Sequence, residues 1–139
     1  MRIIDRNAVE LELPENMEVT IFTEMAFDVG EAAEVAARVR AIPPDREGFR
    51  FQNAGPDEGE VAFFDWVRPY PEGHWSPLRR LGGMQILGSV RITEGMLVAE
   101  ARALSMAARL AGMLKERLGE AIHLRETQWT MPQDLRKAG

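Results

Sequence analysis

The sequence predicts an α+β fold, a two-layer sandwich in which a mostly antiparallel sheet of six or seven strands carries two helices on one face. Three observations predict it. Apolar and polar residues alternate with a period of two in several separate short segments. Two segments carry apolar residues at helical spacing instead. Each half of the chain holds the same ingredients, one amphipathic helix and three strands, and neither half alone has enough residues to close a core comfortably.

Val9 to Leu13 is a candidate short opening strand. From Met17 to Phe27, Val19, Ile21, Thr23, Met25 and Phe27 alternate with Glu18, Thr20, Phe22 and Glu24, as a half-buried strand requires. Gly30 precedes a helix over Glu31 to Ile42, with acids in its first turn, arginines near its end and Pro43-Pro44 as its stop. Phe49 to Asn53 and Val61 to Arg68 are strands about a glycine-rich turn. Met84 to Thr93 and Met96 to Ala103 form a hairpin about Glu94-Gly95. Ser105 is the expected N-cap of a second helix, whose stripe is Ala107, Ala108, Leu110, Ala111, Leu114 and Leu118, with Gly119 closing it. A last strand runs from Ala121 to Thr130. Gly88, alone inside its strand, marks a bulge or the close approach of the helix above.

The 139 residues form one domain over residues 1–131, followed by a flexible tail at 132–139. Within it lie an acidic half (1–68), a proline-rich connector (69–83) and a basic half (84–131). Residues 1–70 carry 7 Lys or Arg against 15 Asp or Glu, a net of −8, and residues 71–139 carry 10 against 7, a net of +3. Trp75, between Gly73 and Pro77, is the expected anchor that ties the connector to the rest. No apolar run nears the roughly 20 residues that span a bilayer. The start is too charged for a signal peptide, so a cytoplasmic protein with no membrane partner is expected.

Many chemistries fall away. With no cysteine there is no thiolate nucleophile, zinc–thiolate site or iron–sulfur cluster. His74 and His123 stand 49 positions apart without metal-ligand spacing, so no metal and no cofactor are expected. No serine sits in a nucleophile elbow, and the glycines at 82, 83 and 88 match no phosphate loop; no catalytic residue is assigned. The acidic turn of Asp57, Glu58 and Glu60 reads as solvated. Asp65 lies in the apolar strand Val61-Ala62-Phe63-Phe64-Asp65-Trp66-Val67. Either it shares a buried face with Val61, Phe63 and Val67, the mark of a functional carboxylate, or Phe64 and Trp66 face the core and Asp65 faces water.

Leu87-Gly88-x-Val90-x-Ile92, Leu97-x-x-Glu100, Ser105-x-x-x-Arg109-Leu110, Leu114 and Leu118-Gly119-x-x-Ile122 together resemble a strand–strand–helix–strand module of uncharacterised bacterial proteins, some carrying SEC-C motifs. The resemblance covers residues 84–122 and brings no catalytic residue. Any zinc role of such proteins does not transfer to a chain without cysteine.

The leading expectation is a small non-catalytic interaction or regulatory protein that acts through a sheet face or edge, on a second copy of itself or on another protein. Phe63-Phe64, Ile86-Leu87 and Met96-Leu97-Val98-Ala99 put apolar residues on both sheet faces, and helices can cover only one. A homodimer is the simplest outcome. An alternative is a small-molecule binder or enzyme with a pocket between the halves, using Asp65, His74, Trp75, Arg79 and Arg80. A third reading is a nucleic-acid binder, with Arg79, Arg80, Arg91, Arg102, Arg109, Lys115, Arg117 and Arg125 on one face and Trp129 as a stacking platform. The modest +3 of that half and the repulsion of the −8 half weigh against it.

Overall fold

The computed structural model describes residues 2–4, 10–12, 22–70 and 83–130. In chain order they form β1 (Arg2–Ile4), β2 (Glu10–Glu12), β3 (Phe22–Val29), α1 (Ala32–Arg40), β4 (Arg50–Asn53), β5 (Ala62–Pro69), β6 (Met84–Thr93), β7 (Met96–Ala101), α2 (Leu104–Leu118), a 3-10 turn (Gly119–Ala121) and β8 (Ile122–Thr130). The main sheet has six antiparallel strands in the order β4-β5-β6-β7-β3-β8, and β1 and β2 pair in a two-stranded sheet of their own. This is the expected α+β sandwich.

Alternation decides which side of each strand meets the helices. On β3, Thr23, Met25, Phe27 and Val29 are buried, and their neighbours point the other way. Ala62, Phe64 and Trp66 on β5, Val90 and Ile92 on β6, and Leu97, Ala99 and Ala101 on β7 complete the same layer. The helices answer at their own period: Ala32, Val35, Ala36 and Val39 on α1, and Ala107, Leu110, Leu114 and Leu118 on α2. Between the helices, an Arg38 nitrogen donates to the Arg117 carbonyl at 2.8 Å, using a basic side chain to close the carboxyl end of α2.

Several local expectations change. The strand expected from Met17 is described from Phe22, and the short opening strand pairs with β1, not with the main sheet. Ser105 lies inside α2; the N-cap is Ala103, whose carbonyl takes the Ala107 amide at 2.9 Å with no side chain assisting. Gly88 does mark a bulge, since Trp66 opposes Gly88 while Val67 opposes Ile86, leaving Leu87 as the extra residue. What approaches Gly88 is the β7 backbone: a Cβ there would collide with the Glu100 carbonyl oxygen. Residues 71–82 of the connector, the Trp75 anchor and the tail lie outside the described residues. Among the described residues no helix is long and apolar enough to cross a membrane.

Candidate functional site on the open sheet face

The face away from the helices has a pattern that appears only once the strands are paired. Gln52 opposes Asp65, Asp65 opposes Ser89, Ser89 opposes Glu100, Glu100 opposes Glu24, and Glu24 opposes Gln128. One continuous row thus crosses all six strands, and every residue in it is polar. The next row is mixed: Phe63, Arg91, Val98, Ala26 and Glu126. Apolar side chains therefore do reach the open face, as Phe63, Val98, Met96 and Ile86 show, but they flank an acidic band.

Along that row the sheet opens into a hollow of about 410 Å³. Asp65, Ser89, Glu100, Glu24 and Gln128 line it, with Arg102 as the cation. Phe22 and Ile86 also border it, and both are unusually exposed for large apolar residues, at 40% and 46%. The volume lies within the range of small-molecule sites.

Glu24 and Glu100 stand directly opposite each other, where side chains on paired strands lie closest. Partial burial raises the Glu24 pKa above its ordinary value, and a hydrogen bond to Glu100 and the Glu100 charge raise it further. Glu126 adds to this and Arg91 opposes it. Glu100 also accepts a 3.3 Å hydrogen bond from the Ser89 hydroxyl. At the β8 end of the row, Gln128 donates to Glu126 at 2.9 Å.

Of the residues singled out from sequence, Asp65 belongs to this site. Phe64 and Trp66 are fully buried in the core, so Asp65 takes the opposite face, where it is half-buried in the hollow. His74, Trp75, Arg79 and Arg80 lie outside the described residues. Trp129 lies on the helix side of β8, half-buried beside Ala107, Ala108 and Ala111 of α2. The described arginines do not share one face. Arg91 is on the open side over the Phe63 ring, whereas Arg109 is locked against Asp45 and Glu47 beside the core. Glu60 of the acidic turn takes the Asp57 amide and pairs with Arg91 at 3.6 Å. Among the described residues no three His, Asp or Glu side chains converge as a metal site.

Sequence reasoning missed Glu24, Ser89, Glu100 and Gln128. Alternation alone places Glu24 and Glu100 on the outward side of their strands, but the register that aligns them is a property of the sheet. No family model matches the chain, nor does any curated protein or solved structure.

Proposed function

We propose that the protein works by binding, through the open face of its six-stranded sheet, and that the hollow on the Asp65–Glu100–Glu24 row is the centre of the contact. One observation carries this reading: polar residues occupy the same register on all six strands, two of them carboxyls set directly opposite each other, where the sheet also opens into a cavity. Packing does not explain the pairing of Glu24 with Glu100, because like charges directly opposed on neighbouring strands destabilise a sheet. Such an arrangement points to use, since perturbed carboxyls in clefts concentrate at functional sites. Apolar Phe63, Val98 and Met96 beside the band supply contact area.

A second copy of the chain suits this face poorly. Two-fold pairing would set the acidic row of one molecule against that of the other. The test is amide chemical-shift mapping of a mixed fragment library on the full chain. Shifts clustered on β3, β6 and β7 around Glu24, Ser89 and Glu100 are expected. Hits confined to α1 and α2, or no hits, would overturn the proposal.

A further inference from the structure

We propose that the hollow takes an organic cation, an ammonium or guanidinium group on an apolar stem, with the charge between Glu24 and Glu100 and the stem against Phe22 and Ile86. This rests on the binding role proposed for the open face and names its ligand chemistry.

The cavity supplies the first argument. Its lining holds three carboxyl groups, Asp65, Glu24 and Glu100, against one guanidinium, Arg102. The strands that bear them set the carboxyls side by side, Glu24 on β3 directly opposite Glu100 on β7, with Asp65 two strands further along the same row. Two carboxyls set directly opposite each other favour a positive charge between them. A ligand ammonium supplies that charge with charge-assisted hydrogen bonds.

The rim supplies the second argument, and it separates an organic cation from an inorganic one. Phe22 and Ile86 are, among the described residues, two of the few large apolar side chains left open to solvent, and both border the hollow. A bare metal ion makes no use of them, and among the described residues the acids do not converge as a metal site. An alkyl or aryl stem covers both. Ser89 and Gln128 add neutral polar groups beside the acids, Ser89 through its bond to Glu100.

A consequence follows for protons. When the cation enters below the pH at which Glu24 ionises, Glu24 gives up its proton to the buffer. Affinity for the cation therefore rises with pH and levels off once Glu24 is ionised. The groups that face Glu24 and set this response are Glu100 on β7, Arg91 on β6 and Glu126 on β8, with Asp65 and Arg102 around the same hollow.

The experiment compares three probes of one shape on the full chain: phenethylamine, 2-phenylethanol and phenylacetate, each titrated while amide shifts are followed. Phenethylamine should bind at least tenfold tighter than the neutral and anionic analogues, with shifts on β3, β6 and β7. Its affinity should rise with pH from 4.5 upward and then level off. The double variant E24Q/E100Q should cut that affinity at least tenfold while melting no lower than the wild type, so the loss is not unfolding. A capped lysine peptide run beside phenethylamine separates the two sources of this chemistry: tighter binding of the free amine assigns a small molecule, tighter binding of the peptide assigns a basic side chain of a partner. Equal binding of phenethylamine and 2-phenylethanol at this face, or an unchanged affinity in E24Q/E100Q, overturns the inference and leaves the binding face standing. No shift on the open face with any probe overturns both.

Discussion

The guanidinium carbon of Arg109 lies 3.8 Å from the centroid of the Phe49 ring. That contact joins α2 to the segment leading into β4, and it is one part of a network. The same guanidinium donates to Asp45 at 2.8 Å and to Glu47 at 3.2 Å. Phe49 is fully buried, packs on Trp66 with centroids 5.1 Å apart, and has a second guanidinium, Arg68, 5.1 Å from its centroid. A planar, forked cation is the side chain that can stack on a ring and bond two carboxylates together.

Arg109→Lys should therefore be costly although it keeps the charge. Losing the stack and the fork should lower stability by about 1 kcal/mol, and Arg109→Met by about 2, given the usual worth of cation–π contacts and charged hydrogen bonds. Urea denaturation measures both. A lysine variant as stable as the wild type would show that charge alone matters.

Asp45 gives the network a pH signature. Burial raises its carboxyl, but hydrogen bonds from Arg109 and from the Phe49 and Glu47 amides outweigh burial and hold it below its ordinary 3.8. A depressed folded pKa means stability that is present above 3.8 and lost as pH falls through the lower folded value. Asp45→Asn should cost about 1–2 kcal/mol at neutral pH, the range for a charged hydrogen bond. Thermal melts should show that gap closing only in acid below 3.8. A gap independent of pH would place the effect in the turn geometry instead.

Two glycines should respond oppositely to alanine. A Cβ at Gly88 meets the Glu100 carbonyl, so Gly88→Ala must push β6 from β7 and should cost about 2 kcal/mol or more, as overpacking does. Gly112 sits inside α2 with nothing within 4 Å of a Cβ. Gly112→Ala should add about 0.5–1 kcal/mol by removing backbone entropy from the unfolded chain. Urea midpoints decide both signs. A stable Gly88→Ala protein would mean the bulge tolerates a wider spacing.

The elements were legible because each signal is local. The alternation of Thr23, Met25 and Phe27, the spacing of Ala107, Leu110, Leu114 and Leu118, and the Glu94-Gly95 turn all act within a few residues. The hairpin strand from Met84 to Thr93 falls where the pattern puts it. The site was not legible for the converse reason. Glu24 and Glu100 are 76 positions apart, and their meeting depends on β3 inserting between β7 and β8. Asp65 stood out because its neighbours are apolar; Glu100 follows the apolar run Met96-Leu97-Val98-Ala99 in the same way, but nothing local in the sequence aligns it with Glu24. The Ser105 cap failed for a smaller reason: the helix gains two residues at its start, Leu104 and Ser105, which moves the cap to Ala103.

The acid pair makes the last prediction, and its sign is opposite to that of Asp45. Glu24 has a folded pKa above its ordinary 4.5, through burial first and then the hydrogen bond and charge of Glu100. A raised folded pKa in an acid means that the protonated form is the one the fold favours. Its contribution is fully present below 4.5 and lost as pH rises through the higher folded value. Once Glu24 ionises, two like charges oppose each other across β3 and β7, at a cost of about 0.2–1 kcal/mol for a cross-strand pair. Glu24→Gln keeps the size and the hydrogen bond to Glu100 and removes the second charge. It should melt with the wild type below 4.5, then gain on it as pH rises, and hold a constant lead once Glu24 in the wild type is ionised. Thermal melts across that range give the whole curve. A lead that never develops as pH rises would show that the two carboxylates do not oppose each other in the folded chain.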